Sequence, residues 1–280
     1  MNRIDRKFSE LKKCREAALI PFVTAGDPEI KTTLRILRAL EEAGADVIEV
    51  GVPFSDPMAD GATIQRASER ALRGKTSLPR VLDLIREFRR RSETPVILFG
   101  YYNPFFHYGL ERFVRDAVAA GVDGILCVDL PPEESGELRR QAEKAGLHTI
   151  FLLAPTSDSA RIKLVARLGR GFIYYVSVTG VTGARRALES ELQAQVARIR
   201  RYTKLPIGVG FGISTPEQAA RIASFADAAV VGSALIDVME RAGRIGKKVK
   251  DAKSFIARLK RAMKKRRQAV GNRRQSRVGA

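Results

Sequence analysis

The chain has 280 residues, is 45% hydrophobic and 29% charged, and carries a formal net charge of +19. This length allows one large domain or two small ones, and α/β barrels commonly fill about 250 residues as a single unit. No apolar run approaches the roughly 20 residues that cross a bilayer, and the charged N-terminus lacks the apolar segment of a secretory signal, so we expect a cytoplasmic protein without a membrane span.

Short aliphatic and β-branched runs recur along the chain and predict strands. Residues 1–23 read as an amphipathic helix that leads into the first of these runs. The segments between the runs carry helical periodicity, and several end in a glycine that can take the left-handed conformation that stops a helix. These glycines are Gly44, Gly121 and Gly146. The eight predicted strands are ALIPFV, DVIEVGVP, PVILFGYY, GILCVDLP, HTIFLLAP, FIYYVSVT, PIGVGFGI and AAVVGSALI.

This alternation of strand and helix predicts an α/β fold. Near-continuous apolar strands indicate burial on both faces, as in parallel sheets joined by crossover helices. Eight such units predict a single (β/α)8 TIM barrel with an extra N-terminal helix. A doubly wound open sheet is the alternative, but no G-x-G-x-x-G motif follows the first strand. No compositional break occurs before about residue 240, so residues 1–265 are predicted to form one domain.

Two carboxylates, Glu49 and Asp60, stand in the second predicted strand and in the loop after it. A charge within an apolar run costs free energy unless it is paired or used, which indicates a site for proton transfer. Period-two alternation predicts that Glu49 faces the barrel mouth, whereas Ile48 and Val50 face the helices. The structural alternative is that Glu49 only ends a strand and that Asp60 caps a helix starting near Gly61.

Small residues end the last three predicted strands. In barrels of this class the loops after the seventh and eighth strands often bind phosphate, because free amides and a helix N-terminus stabilise an anion. A phosphorylated substrate is therefore predicted, although any one glycine is more typical of a turn. The residues concerned are Gly180, Gly183, Gly210, Gly212, Gly232 and Ser233.

Large apolar side chains near the strand ends are candidates to line an apolar, partly aromatic pocket, although each alone is more typical of a core. They are Phe22, Leu98, Tyr101, Tyr102, Leu126, Leu152, Tyr174 and Phe211.

Cysteine and histidine are sparse. Cys14 and Cys127 are far apart in the sequence and indicate neither a disulfide framework nor a metal knuckle. His107 and His148 have no partners at metal-ligand spacing. A metalloenzyme is therefore not expected.

The positive charge is concentrated at the C-terminus. Residues 241–280 hold 16 Lys and Arg against one acid, whereas the first 240 residues hold 34 basic and 30 acidic residues. Residues 266–280 are predicted to form a basic, disordered tail beyond the helical segment SFIARLKRAM. Binding of nucleic acid or an anionic surface through this tail is the alternative to a merely solvated end.

Seven motifs along the chain occur in one order: PFVTAGDP, EVGVPFSDPMADGATIQ, GYYNP, DLPPEES, YYVSVTGVTGAR, GVGFGIS and VVGSALI. In these motifs the chain resembles the α subunit of tryptophan synthase, from residue 1 to about residue 265. The resemblance implies a lyase of tryptophan biosynthesis that cleaves indole-3-glycerol phosphate into indole and glyceraldehyde 3-phosphate, with no cofactor in this chain.

The resemblance also implies roles for individual residues. Glu49 would be the general acid and base at indole C3 and the adjacent hydroxyl, and Asp60 would accept the indole N–H. Proton donation near neutral pH requires a raised pKa at Glu49, whereas Asp60 should stay ionised. Thr182 would steady Asp60 in a closing loop. Substrate phosphate is expected on Gly183, Gly212, Gly232 and Ser233, and the indole ring near Phe22, Tyr101, Tyr174 and Phe211.

By the same resemblance the chain assembles with a β subunit in an αββα heterotetramer, and pyridoxal phosphate belongs to that subunit. Asp56, Pro57 and two phenylalanines expected to be exposed, Phe105 and Phe106, would contact it. A competing interpretation is another phosphate-binding barrel enzyme of amino-acid biosynthesis, such as an isomerase of a phosphoribosyl intermediate. Such an enzyme would lack the motif that carries the two acids.

Overall fold

The computed structural model describes residues 1–176, 185–210 and 212–275, with side chains given outside 185–189 and 265–275. Within this part of the chain, eight parallel strands pair in chain order and the first closes onto the last. The strands are β1 (Ala18–Thr24), β2 (Ile48–Gly51), β3 (Val96–Gly100), β4 (Gly124–Cys127), β5 (His148–Leu153), β6 (Ile173–Val176), β7 (Ile207–Gly210) and β8 (Ala228–Val231). The TIM barrel predicted from the sequence is confirmed.

Helices follow every strand and surround the barrel. They are α1 (Arg3–Lys13), α2 (Ile30–Glu42), α3 (Ala62–Arg73), α4 (Leu78–Arg89), α5 (Tyr102–Tyr108), α6 (Leu110–Ala120), α7 (Gly136–Lys144), α8 (Ser159–Leu168), α9 (Arg185–Arg200), α10 (Pro216–Ile222), α11 (Ser233–Arg241) and α12 (Ile245–Gln275). Gly44, Gly121 and Gly146 have φ angles of 93°, 87° and 73°, so the left-handed helix ends predicted at these glycines are confirmed. Among the described residues, no helix combines the length and apolar character needed to cross a membrane.

Strand residues alternate between an inner cluster inside the barrel and an outer cluster under the helices. Val47, the residue just before β2, belongs to the inner cluster, whereas Ile48 and Val50 of β2 belong to the outer one. The same period puts Glu49 on the inner side, as the alternation of the sequence predicted. The inner cluster is Ile4, Phe8, Leu11, Ala18, Ile20, Val47, Ile97, Leu126, Ile150, Phe172, Tyr174, Ala228 and Val230.

Helix α1 closes the N-terminal end of the barrel. Its residues Ile4 and Phe8 belong to the inner cluster, and the rings of Phe8 and Phe172 are 5.6 Å apart. Asn2 Nδ2 donates to the carbonyl of Asp123, just before β4, over 2.8 Å. Helix α1 therefore covers this end of the barrel, and a site for a substrate is expected at the opposite end, where the strands finish.

Helix α12 is anchored to the barrel by a buried ion pair. Lys260 Nζ lies 2.6 Å from Asp46 Oδ2, and the same oxygen accepts the amide of Leu19 over 2.7 Å. The helix runs to Gln275, past the segment over which the sequence predicted it. Residues 266–275, which the sequence predicted to belong to a disordered basic tail, have helical backbone. Residues 276–280 lie outside the described residues, so the flexibility of the tail stays a prediction.

Lys260→Met should lower the free energy of unfolding by about 3 kcal/mol, because it leaves the buried carboxylate of Asp46 without its cation. Lys264→Met is the control, since Lys264 is 50% exposed and pairs with Glu16 over 3.4 Å. Exposed pairs contribute about 0 to 1 kcal/mol. Urea unfolding of both variants measures the difference, and equal losses would contradict the anchoring role.

Candidate active site

Glu49 is a buried carboxyl in the barrel interior near the C-terminal end of β2. It stands between Phe22 of β1 and Ile97 of β3 in the sheet register and is 1% exposed. Its Oε1 has no hydrogen-bond partner among the described residues. Burial among apolar neighbours penalises the charged form and raises the pKa of Glu49 from 4.5 to about 8. At neutral pH this carboxyl is therefore largely protonated.

Asp60 lies in the loop between β2 and α3 and is held by polar contacts. The hydroxyl of Tyr101 accepts the amide of Ala59 over 2.9 Å and donates to the Asp60 carboxylate. Gln65 Nε2 donates to the Asp60 carbonyl over 2.8 Å. Burial raises the pKa of Asp60 to about 6, and the Tyr101 hydrogen bond opposes that rise. Asp60 is therefore mostly ionised at neutral pH.

The helix-cap interpretation of Asp60 does not fit the structure. The N-cap of α3 is Gly61, and no side chain makes a capping hydrogen bond there. Instead, the backbone carbonyl of Asp60 is bound by Gln65, and its carboxylate accepts a hydrogen bond from the Tyr101 hydroxyl. Two carboxyl groups whose surroundings set their pKa values apart are typical of an acid and an anion with separate roles.

Three of the predicted aromatic residues lie buried near the strand ends. Phe22, Tyr101 and Tyr174 are 4%, 3% and 9% exposed. Tyr174 belongs to the inner cluster, and burial and the charge of Glu49 raise its pKa. The ring of Phe54 lies 5.2 Å from the ring of Tyr101.

The other predicted pocket residues divide between the two layers. Leu126 is in the inner cluster and Leu152 packs against it. Leu98 belongs instead to the outer cluster, so its predicted place at the mouth is wrong, because the inward phase of β3 falls on Ile97. Tyr102 packs against the outer cluster.

Phe99 was not predicted from the sequence, and its ring meets that of Phe22 edge-on at 5.1 Å. Period-two spacing from Ile97 could have identified Phe99 as inward-facing. Gly51 was not predicted either, and a Cβ there would lie 2.5 Å from the Phe22 ring. At Gly210, one of the glycines predicted from the sequence to bind phosphate, a Cβ would lie 2.7 Å from the Tyr174 hydroxyl. These two glycines leave room for the aromatic rings.

The predicted phosphate residues that the structure describes lie at the ends of β7 and β8. Gly232 is the N-cap of α11 and Ser233 is its first residue. Gly212 follows β7, is exposed and has a φ of 45°. Gly180, Thr182, Gly183 and Phe211 lie outside the described residues. The phosphate assignment therefore stays a prediction, although the N-terminus of α11 offers free amides at this end of the barrel.

The cysteines and histidines of the described chain form no metal centre. No group of three or more His, Cys, Asp and Glu side chains there could hold a metal ion. His148 Nε2 lies 2.9 Å from Asp5 Oδ2 on α1, at the closed end of the barrel. Cys14 and Cys127 are free thiols.

Glu49→Gln should change how stability depends on pH. Between 4.5 and about 8 the unfolded chain has released the Glu49 proton while the folded chain retains it, so wild-type stability falls as pH rises through this window. The variant lacks this loss, which amounts to roughly 5 kcal/mol at about 1.4 kcal/mol per pKa unit. We expect the thermal midpoint of the wild type to fall relative to the variant up to about pH 8 and then level off. A difference that is constant with pH would contradict the raised pKa.

Comparison with known proteins places the chain in one family. The sequence model described as tryptophan synthase alpha chain matches residues 8–269. A tryptophan synthase alpha chain from Geobacter sulfurreducens is 53% identical over 97% of this chain and 100% of its own length. The structure is similar to tryptophan synthase subunit alpha from Legionella pneumophila, at 42% identity and a TM-score of 0.89 over 95% of this chain and 99% of the other.

A further solved structure is a tryptophan synthase complex from Pyrococcus furiosus. It is 38% identical, with a TM-score of 0.80 over 87% of this chain and 98% of the matched one. The family predicted from the seven sequence motifs is thereby confirmed. The chain belongs to the tryptophan synthase alpha chain family.

Proposed function

We propose that this chain uses Glu49 and Asp60 as the two catalytic carboxylates of its lyase reaction. That reaction is the cleavage of indole-3-glycerol phosphate into indole and glyceraldehyde 3-phosphate. The observation that carries the assignment is the contrast between the two groups. Glu49 has a buried oxygen with no hydrogen-bond partner in the described part of the chain and a pKa of about 8, whereas Asp60 has a pKa of about 6 and a hydrogen bond that favours its charge.

The first step requires a proton donor and an anion that stabilises the positive charge formed on the indole ring. Protonated Glu49 delivers its proton to indole C3, and the ring becomes an indoleninium with positive charge on nitrogen. The ionised carboxylate of Asp60 accepts the indole N–H and stabilises that charge. Because the charge exists only after protonation, this contact is stronger in the transition state than with the bound substrate.

The second step returns the proton. Glu49, now a carboxylate, removes the proton from the hydroxyl on the carbon attached to C3. The bond between that carbon and C3 breaks, the hydroxyl carbon becomes the aldehyde of glyceraldehyde 3-phosphate, and the bonding electrons neutralise the ring nitrogen. Glu49 ends the cycle protonated, so its raised pKa suits both halves of the reaction.

The remaining candidates would bind and orient the substrate. Phe22, Tyr101 and Tyr174 would pack on the indole ring, together with Phe211. Thr182 would steady Asp60 when the loop closes. The substrate phosphate would lie on backbone amides and one hydroxyl at the ends of the later strands, at Gly183, Gly212, Gly232 and Ser233.

Membership of the family implies a complex with a β subunit. We propose that this complex is an αββα heterotetramer in the cytoplasm. In it the β subunit holds pyridoxal phosphate and joins indole to serine. Asp56 and Pro57 on the loop after β2 are candidate contacts, as is Phe106, which is 58% exposed. Phe105 is fully buried with its ring stacked on Phe113 at 4.3 Å, so its predicted exposure is wrong.

The matches to the tryptophan synthase alpha chain family do not favour the competing assignments. A phosphoribosyl isomerase would not require an acid in the position of Glu49 or an anion in that of Asp60. Nucleic-acid binding through the basic tail rests on residues beyond 264, whose side chains are not described.

Glu49→Gln and Asp60→Asn should each fold normally and lower indole release by about 10²- to 10⁴-fold, the usual contribution of one acid-base group. Asp83→Asn, which changes a carboxyl that is 71% exposed on α4, is the control and should keep full activity. Indole release from indole-3-glycerol phosphate is measured with and without a tryptophan synthase β subunit. Wild-type turnover by either site variant would remove that residue from the mechanism.

The pH profile of kcat/KM should be bell-shaped. Activity should fall below about pH 6 as Asp60 takes up a proton, and above about pH 8 as Glu49 loses one. The substrate phosphate also titrates near pH 6, at about its second pKa. The pH profile of the residual activity of Asp60→Asn separates the titration of Asp60 from that of the phosphate. In this variant the acid-side fall due to Asp60 should disappear, whereas any fall due to the phosphate should remain. If kcat/KM of the wild type does not fall above about pH 8, the role of protonated Glu49 is contradicted.

A further inference from the structure

Helix α3 begins just after Asp60 and is joined to helix α11 by polar contacts at the open end of the barrel. In the first turn of α3, Thr63 Oγ1 donates to Asp237 Oδ1 over 3.1 Å. One turn later, Arg66 Nη2 lies 3.0 Å from Glu240 Oε2. The helix that follows the Asp60 loop is therefore tied to the helix whose N-terminus is the proposed phosphate site.

Arg70 extends these contacts to a third element. Its Nε and Nη2 bind the two carboxylate oxygens of Asp27, each over 2.8 Å, and its Nη1 lies 2.9 Å from Glu240 Oε1. Asp27 is 7% exposed and belongs to the loop after β1. A bidentate pair of this kind fixes direction as well as distance. Arg70 thus joins the loop after β1, α3 and α11.

The loop after β1 is itself tightly held. The amide of Gly26 donates to Thr33 Oγ1 on α2 over 3.0 Å. A Cβ at Gly26 would lie only 2.0 Å from Thr76 Oγ1, in the turn after α3. This loop is therefore a fixed support for Asp27, and through Arg70 it supports α3.

We infer that Arg70 and Glu240 are positioning residues that set the Asp60 loop against the phosphate-binding end of α11. The inference rests on the proposed function. The substrate carries its phosphate at one end and its indole N–H at the other, so the two ends of the site must stand at a fixed separation. A displacement of about 1 Å can cost up to about 10²-fold in rate.

A role in positioning Asp60 predicts a particular kinetic signature. Asp60 would stabilise a charge that is absent from the bound substrate, so its displacement should lower kcat rather than raise KM. We expect Arg70→Met to lower kcat about 10-fold and to change KM by less than about 2-fold. The inhibition constant of glycerol 3-phosphate, which probes the phosphate end alone, should stay within about 2-fold.

The decisive test compares Arg70→Met in the wild-type and Asp60→Asn backgrounds. If Arg70 acts through Asp60, the substitution should lower kcat only where Asp60 is present. Equal losses in the two backgrounds, or no loss in either, would overturn the inference while leaving the proposed function intact. Full turnover by Asp60→Asn alone would overturn the proposed function and the inference with it.

Arg73→Met is the matched control. Arg73 is on the same helix, is 78% exposed and pairs only with Glu69 among the ion pairs of the described residues. It should keep wild-type kcat and KM. If Arg70→Met does not fold, Glu240→Gln is the second variant to test. In Glu240→Gln, Arg70 retains both hydrogen bonds to the Asp27 carboxylate. The same pattern in the two backgrounds is expected, with a smaller loss of kcat.

Discussion

The burial of one carboxyl group, with an oxygen that has no hydrogen-bond partner among the described residues, is the constraint on which the site depends. Glu49 stands inside a barrel whose other inward side chains are mainly apolar, and burial alone raises its pKa to about 8. An isolated charge there is so costly that the group keeps its proton at neutral pH. The same apolar packing that stabilises the barrel thus prepares a proton donor. Helix α1 adds to this apolar interior, because its residues Ile4 and Phe8 cover the other end of the barrel.

Asp60 needs the opposite environment, and the fold supplies it a short distance along the chain. The loop after β2 leaves the apolar interior, and Tyr101 offers a hydroxyl to the Asp60 carboxylate. Gln65 holds the loop by its backbone. One strand and one loop therefore carry an acid and an anion whose protonation differs at the same pH.

Much of this architecture could be predicted from the sequence. Regular alternation of apolar runs and helical periodicity predicted the order of the elements, and period two predicted that Glu49 faces inward. Leu98 was misplaced because the phase of β3 depends on its register with β2, which the sequence does not reveal. Phe105 and Phe106 are adjacent on a short helix, and only packing decides that the first is buried.

Contacts between distant parts of the chain could not be predicted. Arg70 meets Asp27 and Glu240, which are separated from it by 43 and 170 residues in the sequence. Each of these side chains alone reads as an ordinary solvated charge on a helix or loop. Their association follows from the closure of β1 onto β8, which brings the first loop and the last helices of the barrel together.

The most direct test of this account is the protonation state of Glu49 in the folded, substrate-free chain. Infrared difference spectra between the wild type and Glu49→Gln isolate the signal of this one carboxyl group. At pH 7 we expect a protonated carboxyl band that disappears as the pH rises through about 8. A Glu49 that is already ionised at pH 6 would contradict it, because the barrel would then not supply the proton on which the reaction depends.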